Sequence, residues 1–411
     1  MTTTTTPEKK SRWRRRALLG AGVLAVGIPG LWYAIHEVPG VGPALADGAR
    51  AVLGPKAVAK AEDLAYDVQD RIDRWRYRNA KPKTFWESPP GATSAAPGPV
   101  ASASGPASPG KPGAPPAPGS DFPPPAFAAP IPGVASEGDG TWIPIKDGGP
   151  AGQHPLLFKS LVHPDAKRGY AAVAVVAVDL RRLDLHLVAG SQEPASASVP
   201  AEHRPGVIPS GALPDLVAAF NGGFKAIHGH YGMMLDGETF VAPRDIGCTV
   251  ALYKDRSIKI RSWPALKDDE PSMTGYRQTP PCLVEAGKTN DALESVEYNK
   301  SWGATVSGET VIRRSAVGLD KSGHVLFYGL GEAVTAQALA RGMRAVGAEF
   351  AAQLDVNYSY PRFLFFDKGA GDEAPHVGSA IISGIKYTRN EYVGPPEIRD
   401  FFYLTRRRPA S

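Results

Sequence analysis

Between Pro89 and Pro132 the chain is built almost wholly from Pro, Ala, Gly and Ser. A stretch of that composition cannot bury enough apolar surface to fold, and its prolines hold it extended and semi-stiff. This one feature divides the sequence. Composition sets a linker over 86–137 and leaves 138–411 as a piece long enough to bury its own core.

Upstream of the linker, Ala17 to Ile35 runs 19 residues without a charge, with Trp32 and Tyr33 near its end. That length spans a bilayer as a helix, and the aromatic pair falls where an interfacial belt sits. The basic tail 1–16 precedes it, which predicts a cytoplasmic N-terminus, a single membrane pass and an exported C-terminal domain. The alternative is secretion after cleavage at Ala44-Leu45-Ala46, an A-x-A pattern. Over 56–79 the apolar residues Val58, Ala61, Ala65, Val68, Ile72 and Trp75 recur at spacings of three and four, which predicts an amphipathic helix. Self-association, a place on the membrane surface, and docking on the chain's own domain are all open to such a helix.

The net charge of +5 belongs to the N-terminal tail. Lys9, Lys10, Arg12, Arg14, Arg15 and Arg16 lie together, and setting them aside leaves 40 basic against 41 acidic residues. No domain-wide basic face exists for nucleic acid, so none is expected as a partner. Cys248 and Cys282 are the two cysteines. They pair as one disulfide in an oxidising compartment, or lie buried as small hydrophobes. Walker loops, G-x-S-x-G, H-E-x-x-H and paired C-x-x-C spacings are absent from the sequence, so no cofactor and no metal set is expected.

Strand signals dominate 138–411. The apolar run Ala171–Asp179 and the alternating Leu183–Leu187 read as a hairpin whose first strand is buried on both faces. Three more hairpins are expected, turning at Asp236-Gly237, at Lys254–Arg256 and at Asp320–Gly323. One helix is expected from Ala336 to Val346, capped by Thr335 and ended by Gly347, followed by a strand Ala351–Leu354 that delivers Asp355 at its end. The fold class is α+β, a hairpin-rich, mostly antiparallel sheet core with a few packed helices, preceded by one transmembrane helix and the disordered linker.

Three segments concentrate polar groups at strand ends. Asn221-Gly222-Gly223-Phe224 follows an apolar run, and its glycines let backbone approach a ligand. Arg313-Arg314-Ser315-Ala316-Val317-Gly318 brings arginines into a strand, where a guanidinium suits phosphate or carboxylate. Leu354-Asp355-Val356-Asn357-Tyr358-Ser359 sets a carboxylate at a strand end, fit for a base or nucleophile. His228 and His230 share one face if their segment is a strand and otherwise lie in a polar loop, and Arg277 with Gln278 are further candidates to line the same cleft.

In this order and spacing, the three segments resemble the phosphodiester glycosidase family, whose members include bacterial envelope proteins. The family pattern runs Asn-Gly-Gly-Phe, Arg-Thr-Ala-x-Gly, a helix, then Leu-Asp-Gly-Gly-Gly-Ser. Asn221–Phe224 match fully. Arg314, Ser315, Ala316 and Gly318 match with Ser for Thr, and Leu354-Asp355 and Ser359 match the last element. Val356-Asn357-Tyr358 replace the three glycines, which narrows or reshapes the pocket. The resemblance covers roughly 170–365. It implies hydrolysis of a glycosyl phosphodiester in envelope or extracellular polysaccharide. Asp355, Arg314 and Asn221 would be catalytic; Gly222, Gly223, Ser315, Asn357, Ser359, His228 and His230 would bind substrate. The competing reading is a non-catalytic glycan-binding or structural envelope protein on the same scaffold.

Overall fold

The computed structural model describes residues 54–87, 122–146, 154–295, 299–303, 310–369 and 373–408, together with 48 and 52. The Ala17–Ile35 run and most of the linker lie outside these. Among the described residues no helix is long and apolar enough to cross a membrane.

The alternation within Val173–Asp179 explains the architecture. Every residue of this strand is buried. Ala174, Val176 and Val178 point into one core, and Val173, Val175 and Ala177 into a second. A strand apolar on both faces needs a layer on each side. The strand lies inside an eight-stranded sheet, flanked by Leu157–Val162 and Val325–Val334, with Ile312–Leu319 and Phe350–Val356 beyond. On one face sits the Ala336–Ala345 helix, with Leu339, Ala340 and Met343 buried and its start capped by the Thr335 hydroxyl accepting from Ala338 N–H. On the other face the first core is shared with two five-stranded sheets. One of these centres on Met273–Thr279 and Cys248–Tyr253, the other on Leu216–Asn221 and Phe401–Arg406. All strand pairings within the three sheets are antiparallel, with few helices, as the α+β expectation holds.

The three hairpins expected at Asp236-Gly237, Lys254–Arg256 and Asp320–Gly323 all form. Asp236 and Gly237 have φ of 50° and 83°, the pair of positive angles a tight two-residue hairpin turn requires. The fourth does not form. Leu183–Val188 pairs with Phe401–Arg406 in a different sheet from Val173–Asp179. Both edges of Val173–Asp179 are already taken by other strands, so the chain turns the corner at Asp179–Arg182 and changes layer.

Two boundaries also move. Residues 122–137 were expected in the linker, yet Phe122 is buried, edge-on to Phe158, and Ala129 is buried too. Aromatic and branched side chains after Asp121 supply the burial that the Pro/Ala/Gly/Ser stretch lacks. The amphipathic helix forms as Pro55–Tyr77. From Asp70 onward it is held to the domain by polar groups: Arg168 donates to both Asp70 oxygens at 2.7 and 2.9 Å, and the Tyr170 hydroxyl donates at 2.7 Å.

Cys248 and Cys282 are bonded, with a Cα separation of 4.7 Å. The bridge ties the start of one small-sheet strand to the segment leading into the large sheet.

Candidate active site

All three sheets contribute to one buried polar cluster. Asp355 stands near the end of Phe350–Val356, and its backbone N–H donates to the Gly222 carbonyl at 3.2 Å, joining the large sheet to the end of Leu216–Asn221. Arg399 Nη1 lies 2.5 Å from Asp355 Oδ2, and Asn357 Nδ2 donates to the same oxygen at 3.1 Å. Arg399 Nη2 donates to the Gly223 carbonyl at 2.9 Å, while its Nε is buried with no hydrogen-bond partner among the described residues. An orphaned guanidinium N–H is a donor held ready for an anion.

Next to this pair is a second one. Arg277 reaches Asp400 through Nε at 2.9 Å and Nη2 at 3.2 Å, and Gly223 N–H donates to Asp400 Oδ2 at 2.9 Å. The glycines are required by this packing. A Cβ on Gly222 would fall 2.0 Å from Asp400 Oδ2, and one on Gly223 would fall 2.7 Å from the Arg277 guanidinium carbon.

A third group borders the first. The Tyr360 ring lies under the Arg399 guanidinium at 4.1 Å, and its hydroxyl donates to Glu397 at 3.0 Å. Glu391 pairs with Arg362 and accepts from Thr388 N–H and Oγ1. Burial pushes the Glu391 carboxyl up, but Arg362 and the Thr388 hydrogen bonds outweigh it and hold it below the ordinary glutamate value. Glu397 moves the other way, raised by burial and by the neighbouring Glu391. Asp355 is likewise raised by burial, against the opposing pull of Arg399. Among the described residues of this network, the arginines 277, 362 and 399 face four carboxyls, Asp355, Asp400, Glu391 and Glu397. A carboxyl raised by burial, as Asp355 and Glu397 are, is favoured to retain a proton, which is the equipment of acid–base chemistry.

The expected residues divide. Asn221, Ser315, Asp355 and Asn357 are brought together with Gly222 and Gly223. Asn221 is fully buried and works as a brace: its Nδ2 donates to Ser315 Oγ at 2.9 Å, and its Oδ1 accepts from Tyr328 hydroxyl at 2.8 Å and from Arg362 N–H at 3.1 Å. Ser315 Oγ in turn donates to the Asp355 carbonyl at 3.2 Å. Asn357, one of the residues in place of glycine, accepts from the N–H groups of Ser359 and Tyr360, which leaves Ser359 exposed on the turn.

Arg314 is not brought to Asp355. It follows the opposite face of its strand from Ser315. Its guanidinium is filled by the carbonyls of Val334, Trp302 and Thr310 and by Gln353 Oε1. Burial without a carboxylate pushes it down to about 10. The cation beside Asp355 is Arg399 instead. His228 and His230 sit exposed on a turn after Phe224, His230 with φ of 49°, so the segment is the polar loop and no strand face aligns them. The residues that sequence reasoning missed are Arg399, Asp400, Tyr360, Arg362, Glu391 and Glu397. One signal for the first two was present. Arg399-Asp400 opens directly onto the apolar Phe401–Leu404, a charged pair entering a strand as Arg313-Arg314 does.

Residues 214–356 match the phosphodiester glycosidase family model. The resemblance carried by Asn221–Phe224, Arg314–Gly318 and Leu354-Asp355 is thereby borne out. Among solved structures, the zebrafish N-acetylglucosamine-1-phosphodiester alpha-N-acetylglucosaminidase catalytic domain, auto-inhibited by its pro-peptide, aligns at 15% identity over 64% of this chain and 87% of its own, with a TM-score of 0.40. A hypothetical protein from Synechocystis aligns at 11% identity over 61% of this chain and 62% of its own, with a TM-score of 0.34. A putative exported protein from Burkholderia pseudomallei aligns at 9% identity over 57% and 74%, with a TM-score of 0.25. No curated protein matches the chain.

Proposed function

We propose that this chain is a membrane-tethered hydrolase that cleaves glycosyl phosphodiester linkages in envelope or extracellular polysaccharide. The observation that carries the reading is the Asp355–Arg399 pair, buried within and beside the family-matched segment 214–356, with an unpartnered Arg399 donor. In this reaction water adds to the anomeric carbon, the bond from that carbon to the phosphate oxygen breaks, and a phosphate monoester leaves. The leaving group is already acidic, so help from a general acid matters less than charge stabilisation on the phosphate. Arg399 supplies that charge. Asp355 is the carboxylate that activates water or attacks carbon, and Asn221, Ser315 and Asn357 position it. Glu397, reaching the same arginine through Tyr360, is the group that holds a proton for the departing oxygen.

The test is release of free sugar from a sugar-1-phosphate methyl diester by the full chain. Asp355→Asn lowers kcat on the order of 10²–10⁴-fold, with circular dichroism confirming the fold. The wild-type rate climbs with pH along a limb whose midpoint lies above 3.8, because the reactive form is the carboxylate and burial raises its pKa. A variant as fast as wild type sinks the assignment. Glycan binding without turnover by the wild-type chain would favour the non-catalytic reading, which the side chains of Val356-Asn357-Tyr358 motivate.

A further inference from the structure

The Pro55–Tyr77 helix docks on its domain by the wrong face for an ordinary amphipathic helix. Asp70 is buried in the Arg168–Tyr170 clamp. Tyr66 lies 6.2 Å from the Tyr358 ring, and Tyr77 lies 5.4 Å from the Tyr170 ring. At 3.6 residues per turn, Leu64, Val68, Ile72 and Trp75 fall in an arc of about 80° on the side roughly opposite Tyr66, Asp70, Asp73 and Tyr77. That apolar stripe is left 66, 47, 45 and 68% exposed. A folded domain that holds a helix by its polar face and turns four large apolar side chains to solvent leaves them for something else to cover.

We propose that the stripe seats on the headgroup–acyl boundary of a bilayer carrying anionic lipid. Two features select lipid over a second copy of the chain. The uncharged run Ala17–Ile35 ends 20 positions before Pro55, so the helix stays within about 70 Å of whatever that run enters. The stripe is also bordered by exposed cations, Arg71 and Arg78 along one side and Arg76 along the other. Arginines in that position carry their stems over apolar surface and their heads to phosphate. A second copy placed stripe to stripe sets the two arginine borders against each other. On the docked face of the same helix, Tyr66 meets Tyr358, three positions past Asp355. Seating the stripe therefore brings the rim of the Asp355 site to within roughly one helix diameter, about 10–12 Å, of the bilayer surface.

The experiment uses the full chain with Trp75→Cys, labelled with an environment-sensitive fluorophore without reductant, so that the bonded Cys248 and Cys282 stay unlabelled. Glu202→Cys, at an exposed position on the domain, is the control. Each is reconstituted by detergent removal into phosphatidylcholine–phosphatidylglycerol vesicles containing nitroxide lipid, at about one chain per vesicle. The expected result is quenching at position 75 at least threefold stronger than at 202. Replacing Leu64, Val68 and Ile72 together by Ser, with the upstream run intact, brings the two positions level. Equal quenching at both positions in the unsubstituted stripe, a chain that does not associate with the vesicles, or shielding of position 75 only when chains are crowded, which marks a second copy, each overturns the proposal.

Discussion

At the scale of single residues, the two arginines in candidate positions differ in what already satisfies them. Among the described residues, Arg314 has its guanidinium filled by carbonyl oxygens and no carboxylate, whereas Arg399 pairs with Asp355 and keeps a buried Nε unpaired. Removing Arg314 leaves the carbonyls of Val334, Trp302 and Thr310 without donors in a buried site. Arg314→Ala is therefore expected to lower unfolding free energy by about 3–5 kcal/mol, measured by chemical denaturation. Arg399→Lys keeps a cation near Asp355 but loses the planar fork, so it is expected to cut turnover of a phosphodiester at least tenfold with a smaller stability loss. The reverse pattern, with Arg314→Ala stable and inactive, would return Arg314 to the site. Its residue type and position read as functional in the sequence because strand alternation, not identity, decides which face an arginine serves.

The helix Pro55–Tyr77 shows the same limit at the scale of an element. Its period was legible, and so was its apolar face. Which face meets the domain was not, because a buried Asp70 with Arg168 and Tyr170 reverses the usual preference. Burial raises Asp70, but the Arg168 and Tyr170 hydrogen bonds and the Arg168 charge outweigh it, so its folded pKa lies below 3.8. With a depressed carboxyl, the stabilisation is fully present above 3.8 and is lost as pH falls through the folded value. Charge-assisted buried bonds of this kind are worth about 1.5–3 kcal/mol. Asp70→Asn at neutral pH is accordingly expected to speed amide hydrogen exchange across 66–77 by roughly 10–100-fold, with the domain sheets unchanged. Unaltered exchange in the helix would show that Asp70 does not hold it.

At the scale of the whole molecule, three sheets meet at one polar cluster, and the Cys248–Cys282 bridge crosses between two of them. Closing a loop with a sequence separation of 34 restricts the unfolded chain by about 3–4 kcal/mol. Cys248→Ala with Cys282→Ala is expected to lower the unfolding free energy by that amount, read by chemical denaturation, while leaving the Asp355 site active; an unfolding free energy equal to wild type would show the bridge adds nothing. Local chemistry in the sequence determined the three tight hairpins, the capped Ala336–Ala345 helix and the family segments, because turn residues, caps and periodic burial act over a few neighbours. Tertiary structure alone decided the layer change after Asp179, the docked face of the first helix and the choice of Arg399 over Arg314. Each depends on which partner fills a strand edge, a charge or a donor first, and those partners lie far away in the chain: residue 399 meets residue 355, and residue 168 meets residue 70.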